Sequence, residues 1–121
     1  MPHRKDAAHF LAFDLGAGSG RAVLGTLGGP KLTVHEVRRF PNNPLPLAGH
    51  IHWNVYALFD EMKAAMRDAA AAVGERPASI GVDTWGVDFG LLGRGDEISR
   101  IDLVDRPRGI AVHDRASPDG R

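Results

Sequence analysis

Two short stretches of the chain hold residue types that could act on a charged ligand. The first is FDLGAGSGRAVL, residues 13–24, where an aspartate ends an apolar run and three glycines precede an arginine. Glycines lack Cβ, so their backbone amides can come close to a ligand and adopt positive φ. Successive amides in such a turn form a concave anion site. Ser19 adds a hydroxyl donor, and Arg21 adds a charge that a phosphate can use. Asp14, at the end of the apolar run, could hold a hydrated Mg²⁺ beside those phosphates. Together these residues outline a nucleotide-triphosphate site. The generic patterns do not match: no lysine follows the last glycine, and a strand rather than a helix comes next. For this stretch alone, a hairpin turn that is simply rich in glycine is the favoured alternative.

The second stretch is SIGVDTWGVDFGLL, residues 79–92. Asp83 again ends an apolar run, and Trp85, Gly86 and Asp88 follow closely. A tryptophan offers a flat apolar face to a sugar ring, a glycine lets the ring approach the backbone, and carboxylates accept from hydroxyls. A packed core tryptophan beside a solvated loop accounts for the same residues. His50 and His52 form an H-x-H pair, but a structural metal site needs more ligands than that.

The elements that must position these residues can be read from patterning. Residues 9–14 and 21–27 read as two strands joined by a short turn, hence an antiparallel hairpin. Residues 31–40 alternate imperfectly and read as a third strand, with Leu32, Val34, Glu36 and Arg38 on one face. Residues 41–50, with three prolines and two asparagines, read as a loop, and 51–53 as a brief extended piece. Asn54 suits an N-cap, and a helix is expected over 55–73. Leu58, Met62, Ala65, Ala69 and Val73 recur at three- and four-residue steps on its buried face, and Gly74 is placed for a left-handed cap. Glu61 and Arg67 are expected on its solvated face. Residues 78–83 and 87–92 read as two further strands. A helical crossover implies parallel pairing and the hairpins imply antiparallel pairing, so the sheet is mixed.

Bulk properties exclude several classes. Lys plus Arg equals Asp plus Glu at 15 each, which gives no electrostatic support for nucleic-acid binding. No cysteine is present, so disulfides and thiolate zinc sites are excluded, in keeping with a cytoplasmic protein. No apolar run reaches the length of a membrane span, and none follows the basic N-terminus as a signal peptide would require.

Taken together, DLGAGSGR and SIGVDTWGVDFGLL resemble the rhamnulokinases of the FGGY carbohydrate-kinase family. VHEVRRFPNNP and HIHWNVYALFDEMKAAM look like that family's third strand, loop and first helix. The resemblance covers residues 9–93. It implies an α/β fold: part of an actin-like, ribonuclease-H-like ATPase domain, with a mixed sheet and one main crossover helix. It also implies transfer of the ATP γ-phosphate, with Mg²⁺, to L-rhamnulose, giving L-rhamnulose 1-phosphate. Residue by residue, Ala17, Gly18, Ser19, Gly20 and Arg21 match the ATP-binding turn. Asp14 matches the strand-end carboxylate near metal and phosphates, and Gly86 the substrate-binding glycine. Asp83, Trp85 and Asp88 match the rest of the second motif, and a direct sugar contact for them is inferred.

Two departures qualify the resemblance. Family members are several times longer, and their general-base aspartate lies beyond residue 121, so no residue here takes that role. The family also continues into a segment like YRDARTDG, where residues 113–120 read HDRASPDG. Ala116, Asp119 and Gly120 match, the Arg–Asp order is inverted, and Ser117 and Pro118 replace the Arg and Thr. Residues 1–93 are thus expected to form the N-terminal part of the first kinase domain, and 94–121 a divergent, poorly ordered tail. A frameshift and natural divergence are both open explanations for that tail. The isolated chain is expected to be inactive and prone to self-association through uncovered sheet edges and apolar faces. A non-catalytic remnant and a sugar-binding regulatory module are the alternatives.

Overall fold

The computed structural model describes residues 7–84, 86, 88–95 and 98–103. Strands β1 (Ala7–Leu15), β2 (Ser19–Gly28) and β3 (Lys31–Pro41) form a meander. Next come β4 (Leu45–Leu47), β5 (His50–His52) and helix α1 (Val55–Val73), then β6 (Ser79–Thr84), β7 (Asp88–Leu92) and β8 (Ile98–Leu103). One sheet has the order β3-β2-β1-β6, with β6 parallel to β1. A second sheet has the order β4-β5-β8-β7. The first is the mixed sheet expected of a chain that alternates hairpins with a helical crossover.

Alternation in β1 and β2 builds the core. Leu11 and Phe13 lie opposite Leu24 and Ala22 and are buried with them, against Ala65 and Ala69 of α1. The two alanines let the helix backbone settle close to the sheet, and Met62, Met66 and Val73 fill the margin. Each large apolar side chain removed from water there stabilises the fold by about 1.5–3 kcal/mol. The helix has the expected bounds. Asn54 Oδ1 accepts from the Ala57 N–H at 3.1 Å, and Gly74, at φ 75°, ends it with a bond from its N–H to the Ala70 carbonyl.

Strand β3 departs from the expected alternation. Ala22 pairs with Arg38 and Val23 with Glu36, which leaves Val37 as an extra residue in a β-bulge. Val37 packs on the core, and Arg38 reaches α1, where Nε donates to Glu61 at 2.8 Å and Nη1 to Asp68 at 3.0 Å. Arg38 therefore does not share a face with Leu32 and Val34, and Glu61 is tied to the sheet rather than merely solvated.

Other elements differ from the sequence reading as well. The proline-rich stretch holds β4, which pairs with β5 through a turn at Ala48 (φ 52°) and Gly49 (φ 78°). Two successive positive φ angles are what a two-residue hairpin turn demands. Alanine is a poor signal for such a turn, which is why the sequence predicts a loop where the hairpin stands. Strand β8, where little order was expected, pairs antiparallel with β7 and at one position with β5. Its pairing crosses the boundary expected after residue 93. Residues 104–121, with the HDRASPDG segment, lie outside the described residues.

Candidate functional site

Asp14 and Arg21 are register partners near the closed end of the β1–β2 hairpin. Arg21 Nε and Nη2 both donate to Asp14 Oδ2, at 2.9 and 2.6 Å. The pair is about half exposed, with 48% and 46% of the two side chains accessible. The Arg21 charge, expected to face a phosphate, is thus shared with the carboxylate expected to hold the metal.

Arg39 is the register partner of Arg21 on the next strand. It donates through Nε and Nη2 to the two carboxylate oxygens of Glu36, at 3.1 and 2.7 Å. The hydrogen bond from Arg39 holds the Glu36 carboxyl below its ordinary range, desolvation opposes it, and the charges of Arg39, Arg21 and His35 add smaller lowering effects. Arg39 is pushed up in turn, first by its bond to Glu36 and last by Asp14. Asp14, Arg21, Arg39 and Glu36 therefore form a row of charges of paired sign running from β1 to β3. Neither Arg39 nor Glu36 was singled out from the sequence.

The glycine turn uses its glycines differently from what was expected. Among the described residues, the positive-φ glycines are Gly29, Gly49 and Gly74, so a left-handed backbone does not account for Gly16, Gly18 or Gly20. A Cβ on Gly20 would stand 2.2 Å from the buried Phe40 ring, and one on Gly16 would stand 3.0 Å from the Ser19 carbonyl oxygen. At Gly18 a Cβ would meet nothing within 4 Å, so the backbone is open to close approach there. Gly20, matched to the ATP turn, thus has a packing reason of its own, while Gly18 has the exposure a ligand needs.

Asn42, within the loop that the sequence predicts over residues 41–50, sits against this turn. It is 4% exposed. Its side-chain Nδ2 donates to the Gly16 carbonyl at 2.7 Å and its backbone N–H to the Gly18 carbonyl at 3.2 Å. The signal that could have found it is topological. An antiparallel partner of β2 must end level with the start of β2, so whatever follows β3 lies beside the glycine turn.

Asp83 stands next to Asp14 on the parallel neighbour, in register. Adjacent strands are spaced about 4.8 Å apart, and equal register puts both carboxylates on one face of the sheet. Asp83 Oδ1 accepts from the Thr84 N–H at 3.1 Å. Gly86 is exposed, with nothing within 4 Å of an added Cβ. Asp88 opens β7, level with Leu103. Trp85 lies outside the described residues.

Phosphate and Mg²⁺ chemistry fits what is present. An open backbone at Gly18 suits an anion, and Mg²⁺ commonly takes only one or two carboxylates and fills its shell with water and phosphate oxygens. Among the described residues, no three His, Asp or Glu side chains gather into an all-protein metal cage, His50 and His52 included. No helix among them is long and apolar enough to cross a membrane.

Comparison with known proteins supplies the family context. No family model matches the chain. A rhamnulokinase of Bacteroides thetaiotaomicron is 45% identical over 92 residues, covering 76% of this chain and 19% of the relative. One from Halalkalibacterium halodurans is 41% identical over 72% of this chain and 18% of its own length. One from Klebsiella pneumoniae is 38% identical over 87% of this chain and 22% of its own. In three dimensions, a gluconate kinase from Lactobacillus acidophilus superposes with a TM-score of 0.66 at 16% identity, over 81% of this chain and 20% of that one. That likeness bears out the expected fold, a partial α/β domain of sugar-kinase type. The chain spans about a fifth of the length of the curated relatives it matches. Over the greater part of its own length, this chain is a relative of the rhamnulokinases.

Proposed function

We propose that this chain carries the phosphate-binding and sugar-binding portion of an ATP-dependent sugar kinase of the rhamnulokinase type, acting on L-rhamnulose to give L-rhamnulose 1-phosphate. The observation that carries the reading is the side-by-side placement of Asp14 and Asp83 on parallel strands, next to a turn that is open at Gly18. Phosphoryl transfer depends mainly on positioning and charge stabilisation. Bound Mg²⁺ would supply charge neutralisation at the phosphate oxygens. Ala17, Gly18 and Ser19 would hold the phosphates through backbone amides. Asp14 would fix the metal side, with Arg21 holding it in place, and Asp83 beside it would contact the sugar. Gly86 would let the sugar reach the backbone, flanked by Trp85 and Asp88.

A second reading, binding without turnover, is favoured by one feature. Asp14 Oδ2 accepts from both Nε and Nη2 of Arg21, which makes it a poor proton acceptor. The test is ADP formation by the purified chain with ATP, Mg²⁺ and L-rhamnulose, with binding of each followed by calorimetry. Turnover abolished by Asp14→Asn supports the kinase reading. Binding of ATP and sugar without turnover supports a binding module. Absence of both overturns the two readings together. Light scattering of the same sample checks the expected self-association, which a sharp monomeric profile would contradict.

A further inference from the structure

We propose that Asn42 is a positioning residue for the glycine turn: it holds the Gly16 and Gly18 carbonyls and thereby aims the Ala17 and Ser19 N–H groups at the incoming anion. This rests on the reading of the turn as a phosphate site. The geometry follows from the peptide plane. In a trans peptide the C=O of one residue and the N–H of the next point in opposite directions, and no peptide bond among the described residues is cis. Asn42 Nδ2 binds the Gly16 carbonyl and Asn42 N–H binds the Gly18 carbonyl. The N–H groups of Ala17 and Ser19, on the far side of those same planes, must face away from Asn42.

The clamp also changes how the hairpin closes. Gly16 N–H donates to the Ser19 carbonyl at 3.0 Å. The Gly16 carbonyl, the natural acceptor for the Ser19 N–H in a closed two-residue turn, is occupied by the asparagine side chain. Asn42 thus competes with Ser19 for that acceptor.

Stability alone does not account for the residue. Asn42 is buried with its Oδ1 unpaired, an arrangement that folded proteins generally avoid. What the position uses is the donor end, since only Nδ2 can face a carbonyl.

The test is a titration of the 121-residue chain with MgATP, read by backbone amide NMR in the wild type, Asn42→Asp and Asn42→Ala. The wild type is expected to show saturable shifts at Ala17 and Ser19, and both variants to bind at least about tenfold more weakly. Unchanged amide positions at Ala65 and Ala69 report an intact core. Asn42→Asp adds a signature that lost packing would not produce. Its protonated carboxyl can donate to Gly16, so its affinity relative to the wild type should recover as the pH is lowered.

Equal affinity in the wild type and both variants overturns the proposal and leaves the phosphate reading standing. If the wild type does not bind, the phosphate reading fails, and hydrogen exchange at Ser19 decides the role of Asn42. Slower exchange in the variants, as Ser19 takes the vacated carbonyl, upholds the clamp, and unchanged exchange overturns it. If Asn42→Ala does not fold, Asn42→Asp, which keeps the shape, carries the comparison.

Discussion

Two neighbouring strands of one sheet fare very differently. On β1, Leu11 and Phe13 are each 1% exposed. Their register partners on β6, Ile80 and Val82, are on the same face and are 49% and 55% exposed. The residue types are equally apolar, so hydrophobicity does not explain the difference. Coverage does: α1 packs across β1, β2 and β3 and stops short of β6. An apolar strand is only a core strand if something lies on it.

The contrast can be broken most sharply by cutting the same kind of side chain on each strand. Phe13→Ala is expected to cost about 3–5 kcal/mol in urea unfolding, while Val82→Ala should stay within about 0.5 kcal/mol. A comparable loss at Val82 would mean that β6 is covered in solution. Gly20→Ala comes next, because the added methyl runs into the Phe40 ring, and about 1–3 kcal/mol is expected from such overpacking. Removing the helix cap with Asn54→Ala should cost about 1 kcal/mol, since α1 alone covers the core side.

The smallest effect belongs to Glu36. Its carboxyl is held below its ordinary range by Arg39, so the pair stabilises the fold above the unfolded pKa and the contribution is lost as pH falls through the folded value. The melting temperature of the wild type should therefore exceed that of Glu36→Gln slightly at neutral pH and converge with it in acid. Both side chains are open to solvent, which keeps that difference small.

The elements with strong local codes were legible in the sequence. Asn54 and Gly74 bracket α1 as their chemistry requires, and the apolar runs ending in Asp14 and Asp83 form the strands on which both carboxylates stand. Three features were not legible, each for a physical reason. The β4–β5 hairpin turns on Ala48 at positive φ, a conformation alanine does not advertise. Strand β8 draws its order from pairing with β7 rather than from its own pattern. Asn42 and Arg39 act through strand register, which brings residues from distant parts of the chain to one level. The carboxylates, the turn and Arg21 could be placed from sequence, whereas Asn42, which holds the turn, and Arg39 beside Arg21 could not.

The extra residue at Val37 has a consequence for inheritance. A strand is a two-state parity code, and inserting one residue inverts the code for everything on one side of it. Because of Val37, Leu32 and Val34 are outside while Phe40 is inside, although all three sit at even positions. Deleting that single codon would join Glu36 directly to Arg38, which already face Val23 and Ala22, so the two halves of the strand would fall into one regular alternation with every remaining side chain on its present face.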